Sequence, residues 1–177
     1  MISDQTLKEI YKLKNIIRYN TRSHIKNESV AEHSFYVGLI ALMLCDELKV
    51  NETIKCKVII KSLLHDMPEM NINDITYDAK EKLNLRPLLA KYENEYFEQN
   101  FPKYVELMKD DSEENIVNVI VNLADVLSVK QFVNNEIALG NNDEDIKEIY
   151  RNTLIRIDRL KEKLNKWKWK LNFIQKM

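Results

Sequence analysis

Glycine and proline are both scarce in this sequence, with Gly 2 and Pro 3 among 177 residues. Sheets and hairpins need these residues for their turns far more than helices do. Their scarcity excludes a turn-rich β fold and predicts an all-α fold. The length suits one domain with a substantial core and is too short for two, so we expect residues 1–177 to form a single domain.

Cysteine is also rare, and neither sign of charge dominates. Cys45 and Cys56 are too few for a disulfide framework and indicate reduced thiols. The net charge of −1 creates no strong field towards nucleic acid or a membrane surface. No basic and then apolar leader opens the sequence, and no apolar run approaches membrane length. We therefore expect a cytoplasmic protein that binds neither nucleic acid polymers nor membranes.

Apolar residues recur at helical spacing along most of the chain and predict about seven helices. Ser3, Asn51 and Ser112 stand where helix N-caps are expected, and Gly140 stands where a helix ends. Residues 20–28 and 70–78 are polar or mixed and predict loops. The predicted helices cover residues 4–17, 30–48, 54–65, 87–101, 102–109, 113–139 and 143–176.

The second predicted helix begins with a capping box, in which Ser29 and Glu32 have the required spacing. From Phe35 to Cys45 this helix is almost wholly apolar, so we expect it to be buried on most sides. Gly38 lies inside it. A glycine there costs about 1 kcal/mol of helix stability, which a close crossing with another helix would explain.

The last predicted helix carries an apolar stripe that ends among lysines and tryptophans. Trp167 and Trp169 alternate with lysines, an arrangement that could serve a nucleic-acid surface with stacking aromatics. We favour the simpler interpretation, in which the stripe packs on the core or on a second subunit. The stripe comprises Ile157, Leu160, Leu164, Trp167, Leu171 and Ile174.

The stretch 62–69 places an imidazole and a carboxylate side by side at the end of an apolar helix. His65 and Asp66 form this pair, and Glu69 follows one turn later. Such a pair is costly to desolvate unless a partner compensates it, and a metal ion is the usual compensation. Glu69 would then be placed to transfer a proton. The alternatives are a satisfied core histidine for His65 and a solvated surface glutamate for Glu69.

Two further side chains would complete a metal site. His33 lies on the first turn of the second helix, and Asp125 lies mid-helix, where an aspartate is rare unless paired or bound to metal. With His65 and Asp66 they suit a five- or six-coordinate Mn²⁺, Fe²⁺, Co²⁺ or Ni²⁺ ion, and Mg²⁺ and Zn²⁺ are further candidates. The alternatives are a core histidine for His33 and a structural salt bridge for Asp125.

A basic loop precedes His33 and contains Arg18, Arg22, His24 and Lys26. Four protein ligands on a six-coordinate ion leave positions for water and for a phosphoryl oxygen. A guanidinium meets a phosphate with two parallel hydrogen bonds that lysine cannot reproduce. We therefore predict a phosphate contact at Arg18. For the other three basic residues, a solvated loop is an equal alternative.

These residues together resemble the HD-domain metal-dependent phosphohydrolase superfamily, whose pattern is His…His-Asp…Asp. The resemblance is strongest to the bacterial HD-domain 5′-deoxynucleotidases and their oxetanocin-like relatives, and it spans roughly residues 5–150. A bare His-Asp pair would be a weak signal, but several elements in order at similar spacing are specific. The matching segments are Glu32-His33-Ser34, His65-Asp66-Met67-Pro68-Glu69, Asn73-Asp74-Ile75-Thr76, Ala124-Asp125-Val126-Leu127 and Ala138-Leu139-Gly140-Asn141.

The resemblance implies an HD-domain helical bundle with one divalent transition-metal ion. It also implies a homodimer that hydrolyses the 5′-phosphate of deoxyribonucleoside monophosphates. His33, His65, Asp66 and Asp125 match the residues that hold the ion in this family, and Glu69 matches its catalytic acid or base.

On the substrate side, Arg18 matches the arginine with which the family grips phosphate. Tyr19 stands where a tryptophan usually lies against the sugar, and Asp74 matches a residue near the sugar and the leaving oxygen. Two other functions remain open. One is a deoxynucleoside triphosphate hydrolase of the small viral HD type, and the other is a noncatalytic HD module that binds a nucleotide.

Overall fold

The computed structural model describes residues 4–75 and 77–174. Within these residues no strand occurs apart from an isolated bridge between Ile17 and Ser29, so the all-α prediction is confirmed. Two 3₁₀ turns, Leu13–Asn15 and Pro102–Tyr104, supplement the helices. The α-helices are α1 (Asp4–Lys12), α2 (Val30–Leu48), α3 (Glu52–Leu64), α4 (Glu69–Ile72), α5 (Tyr77–Lys82), α6 (Arg86–Asn100), α7 (Val105–Lys109), α8 (Ile116–Ala138) and α9 (Glu144–Ile174).

The main core forms where α8 packs against α2, α3 and α9. Its members are mostly apolar residues at helical spacing, such as Val37 and Ala41 from α2 and Ile120 from α8, all fully buried. Contrary to the sequence expectation, α8 is long and apolar enough to cross a membrane, the one such helix in the described ranges. However, 72% of its apolar window is buried inside the protein, as in the core helix of a globular domain.

The chain leaves helical structure earlier than predicted after α1. α1 ends at Lys12, the 3₁₀ turn follows, and Ile16 is already extended with φ −89° and ψ 109°. The extended backbone pairs with the entry to α2, because Val30 N–H donates to the Ile16 carbonyl at 2.9 Å. This pairing explains why the predicted helix stops short of Ile17. The predicted cap Ser3 lies outside the described residues.

Residues 18–28, named here the Arg18 loop, form the irregular segment predicted between the first two helices. The base of the loop is closed by the N–H of Arg18, which donates to the Glu28 carbonyl at 2.9 Å. The loop then enters α2 through the predicted capping box. Glu32 N–H donates to Ser29 Oγ at 3.2 Å, and Ser29 N–H donates to Glu32 Oε2 at 2.8 Å.

The expectation that α2 is buried on most sides is wrong. One face is buried, but the opposite face leaves large apolar side chains in solvent, with Phe35 57%, Leu39 46% and Met43 71% exposed. Apolar composition predicted a helix correctly, but it could not tell which faces find a partner within the chain. Gly38 lies where α2 meets α3, because a Cβ there would be 3.2 Å from Leu63 Cδ2.

The segment predicted as a loop over residues 70–78 contains helical structure. Pro68 precedes the short helix α4, which ends at Ile72, and Asn73 follows with φ +61° and ψ 173°. Helix α5 begins at Tyr77, after the short connection through Asp74 and Ile75. The Asn73 N–H donates to the Glu69 carbonyl at 2.8 Å, and this hydrogen bond closes the short helix. The turn 65–68 and α4 together hold Glu69 beside the His65–Asp66 pair.

Helix α8 begins at Asn115 rather than at the predicted cap Ser112. Asn115 Oδ1 accepts the Val117 N–H at 2.9 Å and so satisfies one free donor of the first turn. Ser112 instead lies in a turn, where Asp110 Oδ1 accepts its N–H at 3.0 Å. At the other end the predicted glycine cap is confirmed, because Gly140 has φ +94° and its N–H donates to the Ile137 carbonyl at 2.9 Å.

The apolar stripe of α9 packs on the core over its described part. Ile157 and Leu164 are buried, and Leu160 and Trp167 pack against the same cluster. Trp167 Nε1–H donates to the Glu114 carbonyl at 3.3 Å, which fixes its ring against the start of α8. These contacts match the packing interpretation. The side chains of Trp169, Leu171 and Ile174 lie outside the described residues.

Candidate active site

Three helices bring four of the predicted site residues into one corner. His33 comes from the first turn of α2, His65 and Asp66 follow α3, and Asp125 comes from the middle of α8. His65 Nε2 lies 3.1 Å from Asp66 Oδ2, and His33 Nε2 lies 3.7 Å from the same oxygen. Asp125 Oδ1 approaches His33 Nε2 to 3.2 Å. The ligand atoms of His33, His65 and Asp66 all lie within 4.8 Å of one another.

The imidazole nitrogens in this corner fit a metal ion. The Nε2 atoms of His33 and His65 are buried without a hydrogen-bond partner. The Nδ1 of His65 is already engaged by the Ser62 carbonyl at 2.7 Å, which favours a proton on Nδ1 and a free lone pair on Nε2. Buried polar atoms are nearly always satisfied, and one cation between these nitrogens and carboxylates would satisfy them together. These residues could therefore hold a metal.

The charges of the corner are strongly coupled. Burial alone would raise the pKa of Asp66, but His65, His33 and Arg18 outweigh it and hold that pKa well below its ordinary range. Burial also opposes the ionisation of Asp125, but the close approach and charge of His33 outweigh it and lower the pKa of Asp125. Burial opposes the protonation of His65, yet the neighbouring Asp66 raises its pKa to about 9, so a cation that binds Nε2 would displace a proton from it. Both aspartates are thus kept ionised, as ligands of a cation must be.

Glu69 is electrostatically different from both aspartates. Burial, together with the charges of Asp66 and Asp74, raises the pKa of Glu69 well above its ordinary range, and its Oε2 is buried without a hydrogen-bond partner. The side chain lines an open cavity of about 340 Å³ that also reaches His65 and Asp66. A carboxyl group held protonated beside ionised ones can act as a general acid.

Helices α5 and α6 close the far side of that cavity with residues that the sequence did not single out. Lys80 and Glu93 are the charged groups on that side, and Leu89 is apolar. Burial raises the pKa of Glu93, and the nearby Lys80 partly offsets that effect. No spacing rule connects these residues with the His-Asp pair. Only the packing of α5 and α6 brings them together, so no sequence signal could have found them.

Arg18 is the member of the basic loop that reaches the corner. Its Nη1 lies 2.8 Å from Glu28 Oε1 and 2.6 Å from His33 Nδ1. Both contacts are made by Nη1, so Nη2 and Nε can donate to another acceptor. Two parallel donors of this kind suit a phosphate. Burial opposes the charge of Arg18, but Tyr19 and the carboxylates of Asp66, Asp125 and Glu28 raise its pKa above the ordinary value. The group is therefore always a cation.

The other basic residues of the loop do not converge on the corner. Arg22 Nη1 pairs with Asp145 Oδ1 on α9 at 2.8 Å. His24 contacts the Asn27 Oδ1 at 2.8 Å through Nε2, and Lys26 is exposed. These contacts tie Arg22 to α9 and His24 to its own loop, and only Lys26 matches the alternative of a solvated residue.

Tyr19 and Asp74 lie next to each other at the edge of the corner. Asp74 Oδ2 accepts the Tyr19 N–H at 3.3 Å. Tyr19 has φ +57°, an uncommon conformation for an aromatic residue, and its ring stacks on Phe132 with centroids 4.9 Å apart. The Arg18 guanidinium lies 5.1 Å from the centre of the same ring. Tyr19 thus supports Arg18 directly.

Two residues near the candidate ligands were missed by the sequence analysis. Ser128 Oγ lies 3.2 Å from His33 Nδ1, and Arg156 Nη2 lies 3.7 Å from Asp125 Oδ2. Ser128 could have been found, because it follows Asp125 by three residues and so shares its helix face. Arg156 comes from α9, and no local pattern points to it.

Comparison with known proteins identifies the family. The family of YfbR-like 5′-deoxynucleotidases matches the chain over residues 5–175. The chain belongs to this family. No curated protein matches the YfbR-like chain significantly.

Solved structures share the fold of the YfbR-like chain. An HD-domain phosphohydrolase from Listeria innocua is 27% identical, covers 89% of this chain and 81% of its own, and has a TM-score of 0.73. A protein from Pyrococcus horikoshii is 24% identical over 94% of this chain and 96% of its own, with a TM-score of 0.78. The HD phosphohydrolase DatZ of cyanophage S-2L, bound to dA and one catalytic Zn²⁺ ion, is 17% identical. The match covers 100% of this chain and 99% of the DatZ chain, with a TM-score of 0.73.

The family match and the Listeria innocua HD-domain phosphohydrolase make this YfbR-like chain a nucleotide phosphohydrolase with an all-α fold. This result confirms the family, the fold class and the class of enzyme that the sequence motifs predicted. The two relatives below 25% identity share the fold, and the dA and Zn²⁺ of the cyanophage protein describe that protein alone.

Proposed function

We propose that this protein hydrolyses the 5′-phosphate of deoxyribonucleoside monophosphates to a nucleoside and inorganic phosphate. One observation supports this most strongly. Two buried imidazole nitrogens without partners lie beside ionised carboxylates, and a guanidinium approaches the same corner. The arrangement offers a cation site next to a phosphate site. The family description, 5′-deoxynucleotidase, names the same class of substrate.

His33, His65, Asp66 and Asp125 are the proposed ligands of one divalent ion. The mixed nitrogen and oxygen set suits Co²⁺, Mn²⁺, Fe²⁺ or Ni²⁺, with Mg²⁺ and Zn²⁺ as further candidates. Such an ion would neutralise phosphate charge and lower the pKa of a bound water. Arg18 Nη1 lies 2.6 Å from His33 Nδ1 and donates to it, so binding of the ion through Nε2 requires the proton of His33 to move to Nδ1. Ser128 Oγ, 3.2 Å from Nδ1, would then accept that N–H and orient the ring.

The remaining residues are assigned by their positions around the corner. Arg18 is proposed to bind the phosphate through Nη2 and Nε, with Nη1 held by Glu28 at 2.8 Å. Glu69 is proposed to give a proton to the leaving 5′-oxygen, a role that its raised pKa favours. Tyr19 and Asp74 are proposed to border the sugar, because both lie beside Arg18 at the edge of the corner.

A nucleotide panel tests the proposed substrate. The purified protein is loaded in turn with Co²⁺, Mn²⁺ and the other candidate ions, and mixed with deoxyribonucleoside mono- and triphosphates and the matching ribonucleotides. Phosphate release from the deoxyribonucleoside monophosphates is expected. Turnover of triphosphates with inert monophosphates would instead assign the triphosphate hydrolase, and binding without any release would assign a noncatalytic module.

We further propose that the protein is a single HD domain that works as a cytoplasmic homodimer. The exposed apolar face of α2 supports the dimer, because large apolar patches on soluble proteins usually meet a partner. Both cysteines are free, as expected in a reducing compartment. Sedimentation velocity over a range of protein concentrations tests the dimer directly.

A further inference from the structure

A buried carboxylate holds the tip of the Arg18 loop from a distant part of the chain. Glu136, near the end of α8, is 1% exposed. Its Oε2 accepts the Ile25 N–H at 2.7 Å, and its Oε1 accepts the Lys26 N–H at 2.9 Å. Backbone donors of an irregular loop are rarely satisfied by one side chain more than a hundred residues away, so the contact fixes the loop to α8.

Asn141 completes this attachment just beyond the glycine cap of α8. Its Nδ2 donates to Glu136 Oε2 at 2.8 Å and to the Ser23 carbonyl at 3.1 Å. The Ile25 N–H, the Lys26 N–H and Asn141 Nδ2 all donate to the Glu136 carboxylate, as a buried anion requires. A separate ion pair between Arg22 and Asp145 ties the same loop to α9 at 2.8 Å.

The fixed loop leads directly to the candidate phosphate site. Arg18 begins the loop and Glu28 ends it, and the two residues are joined by a backbone hydrogen bond of 2.9 Å and a side-chain contact of 2.8 Å. A shift of the loop tip would move Glu28, and with it the Nη1 of Arg18. The orientation of the guanidinium therefore depends on where the tip is held.

We propose that Glu136 and Asn141 are positioning residues that preset Arg18 for the phosphate of the substrate. They touch neither the substrate nor the candidate metal ligands. Their action passes through the backbone of residues 23–26 and the Arg18–Glu28 pair. The inference rests on the proposed function, because it assigns a consequence to the phosphate contact of Arg18.

Glu136→Gln is the most direct test, since it keeps the size of the side chain. An amide offers one acceptor oxygen, so its NH₂ group must face at least one donor of the loop. We expect the KM for a deoxyribonucleoside monophosphate to rise about tenfold, as loss of part of a charge-assisted contact predicts. The kcat and the metal content should stay within about twofold of wild type, because the reacting groups are untouched. An unchanged KM would overturn the inference.

A double-mutant cycle with Arg18→Lys separates positioning from general loosening. If Glu136 acts through Arg18, Glu136→Gln should raise KM in the wild type but add less than about twofold in the Arg18→Lys background. An equal rise in both backgrounds would contradict the proposed route. Asn141→Ala removes two donors while leaving the carboxylate, and it should reproduce the KM effect. If Glu136→Gln does not fold, Asn141→Ala is the variant that tests the inference.

Asp110→Asn is the matched control at the opposite end of α8, about 30 Å away along the helix. Asp110 also holds backbone and amide donors, those of Ser112 and Asn118 among them. Its replacement should lower stability without changing KM, and a KM rise equal to that of Glu136→Gln would refute positioning.

Absence of monophosphate turnover in the wild type would refute the proposed function itself, whereas an active wild type with an unaffected Glu136→Gln variant refutes only the inference.

Discussion

At the scale of single residues, the environment of each carboxyl group separates the possible roles. Asp66 and Asp125 face imidazoles and a guanidinium, which keep their pKa values low. Glu69 is buried near like charges, which raises its pKa. Neighbouring carboxyl groups whose pKa values are pushed apart can divide the work of binding a cation and giving a proton.

Glu69→Gln should therefore keep the metal and lose most of the rate. The amide preserves the size of the side chain but cannot transfer a proton, and a positioned acid contributes ~10²–10⁴-fold to the rate. Metal content by atomic spectroscopy and phosphate release by a colorimetric assay measure the two effects. Glu93→Gln removes another carboxyl group from the same cavity and should cost less than about tenfold. Full activity in Glu69→Gln would remove this residue from the mechanism.

Asp125→Asn and Ser128→Ala should differ in how strongly they weaken metal binding. Asp125 is a proposed ligand, so its replacement should abolish both metal binding and turnover. Ser128 Oγ lies 3.2 Å from His33 Nδ1 and can accept the proton that Nδ1 carries once Nε2 binds the ion, whereas Arg18, which also reaches Nδ1, can only donate. Loss of such an orienting contact typically weakens metal affinity about 10–100-fold. Calorimetric titration with Mn²⁺ or Co²⁺ measures both, and equal affinities in the two variants would contradict the assignment.

At the scale of helices and loops, local signals predicted the ends of elements where one residue satisfies the free backbone groups. The capping box of Ser29 and Glu32, the cap Asn51 and the end at Gly140 are all confirmed. Ser112 was wrong because Asn115 competes for the same role three residues later. The sequence contains both caps, and only the contacts of Asp110 with this turn decide between them.

The candidate site was predictable to the extent that its residues sit in short local motifs. His65, Asp66 and Glu69 lie within one turn of each other, so their proximity follows from spacing alone. Glu136 and Arg156 contribute through contacts between segments far apart in sequence, and nothing in their local sequence marks them. Exposure of the α2 face was unpredictable for the same reason, because burial depends on what the rest of the chain brings to that face.

The contact between Glu136 and the Arg18 loop should make stability depend on pH in acid. Burial alone would raise the pKa of Glu136, but hydrogen bonds from Asn141, Ile25 and Lys26, with the charge of His24, lower it overall. A carboxyl group with a lowered folded-state pKa stabilises the fold above its unfolded pKa, about 4.3, and loses that contribution as pH falls through the folded value.

Urea unfolding at pH 7, 5, 4 and 3 tests this dependence. The free energy of unfolding should be lower for Glu136→Gln than for wild type at pH 7, because the amide satisfies fewer loop donors. The difference between the two proteins should shrink below pH of about 4.3, where the wild-type carboxylate also takes up a proton. A difference that stays constant from pH 7 to pH 3 would show that the charge of Glu136 does not stabilise the fold.

At the scale of the whole molecule, the exposed stripe of α2 is the feature that the isolated chain does not explain. Phe35, Tyr36, Leu39, Leu42 and Met43 have the i, i+4, i+7 spacing of one helix face, and each is more than a third exposed. Leu63 of α3 lies alongside and is 46% exposed. Burying such a stripe against a second copy would remove it from water, at about 25 cal/mol per Å² of apolar surface.

Met43→Glu should therefore weaken the proposed dimer. A buried charge without a partner at the centre of an apolar interface typically costs enough to raise the dissociation constant about 100-fold. Sedimentation velocity measures the shift. Leu83→Glu is the matched control, because Leu83 is 67% exposed but lies on the loop after α5, away from the α2 stripe. An equal effect of both variants would point to general surface chemistry instead of this face.

The dissociated protein should still bind metal, because His33 faces the core whereas the side chains of the α2 stripe face solvent. His33 is fully buried and faces Asp125 of α8, whereas Phe35, two residues later, is 57% exposed. A partner on the stripe therefore has no direct route to the imidazole. Metal titration of Met43→Glu at concentrations where it is monomeric should give the wild-type affinity within about threefold. Loss of metal binding on dissociation would show that the second subunit holds α2 in place for catalysis.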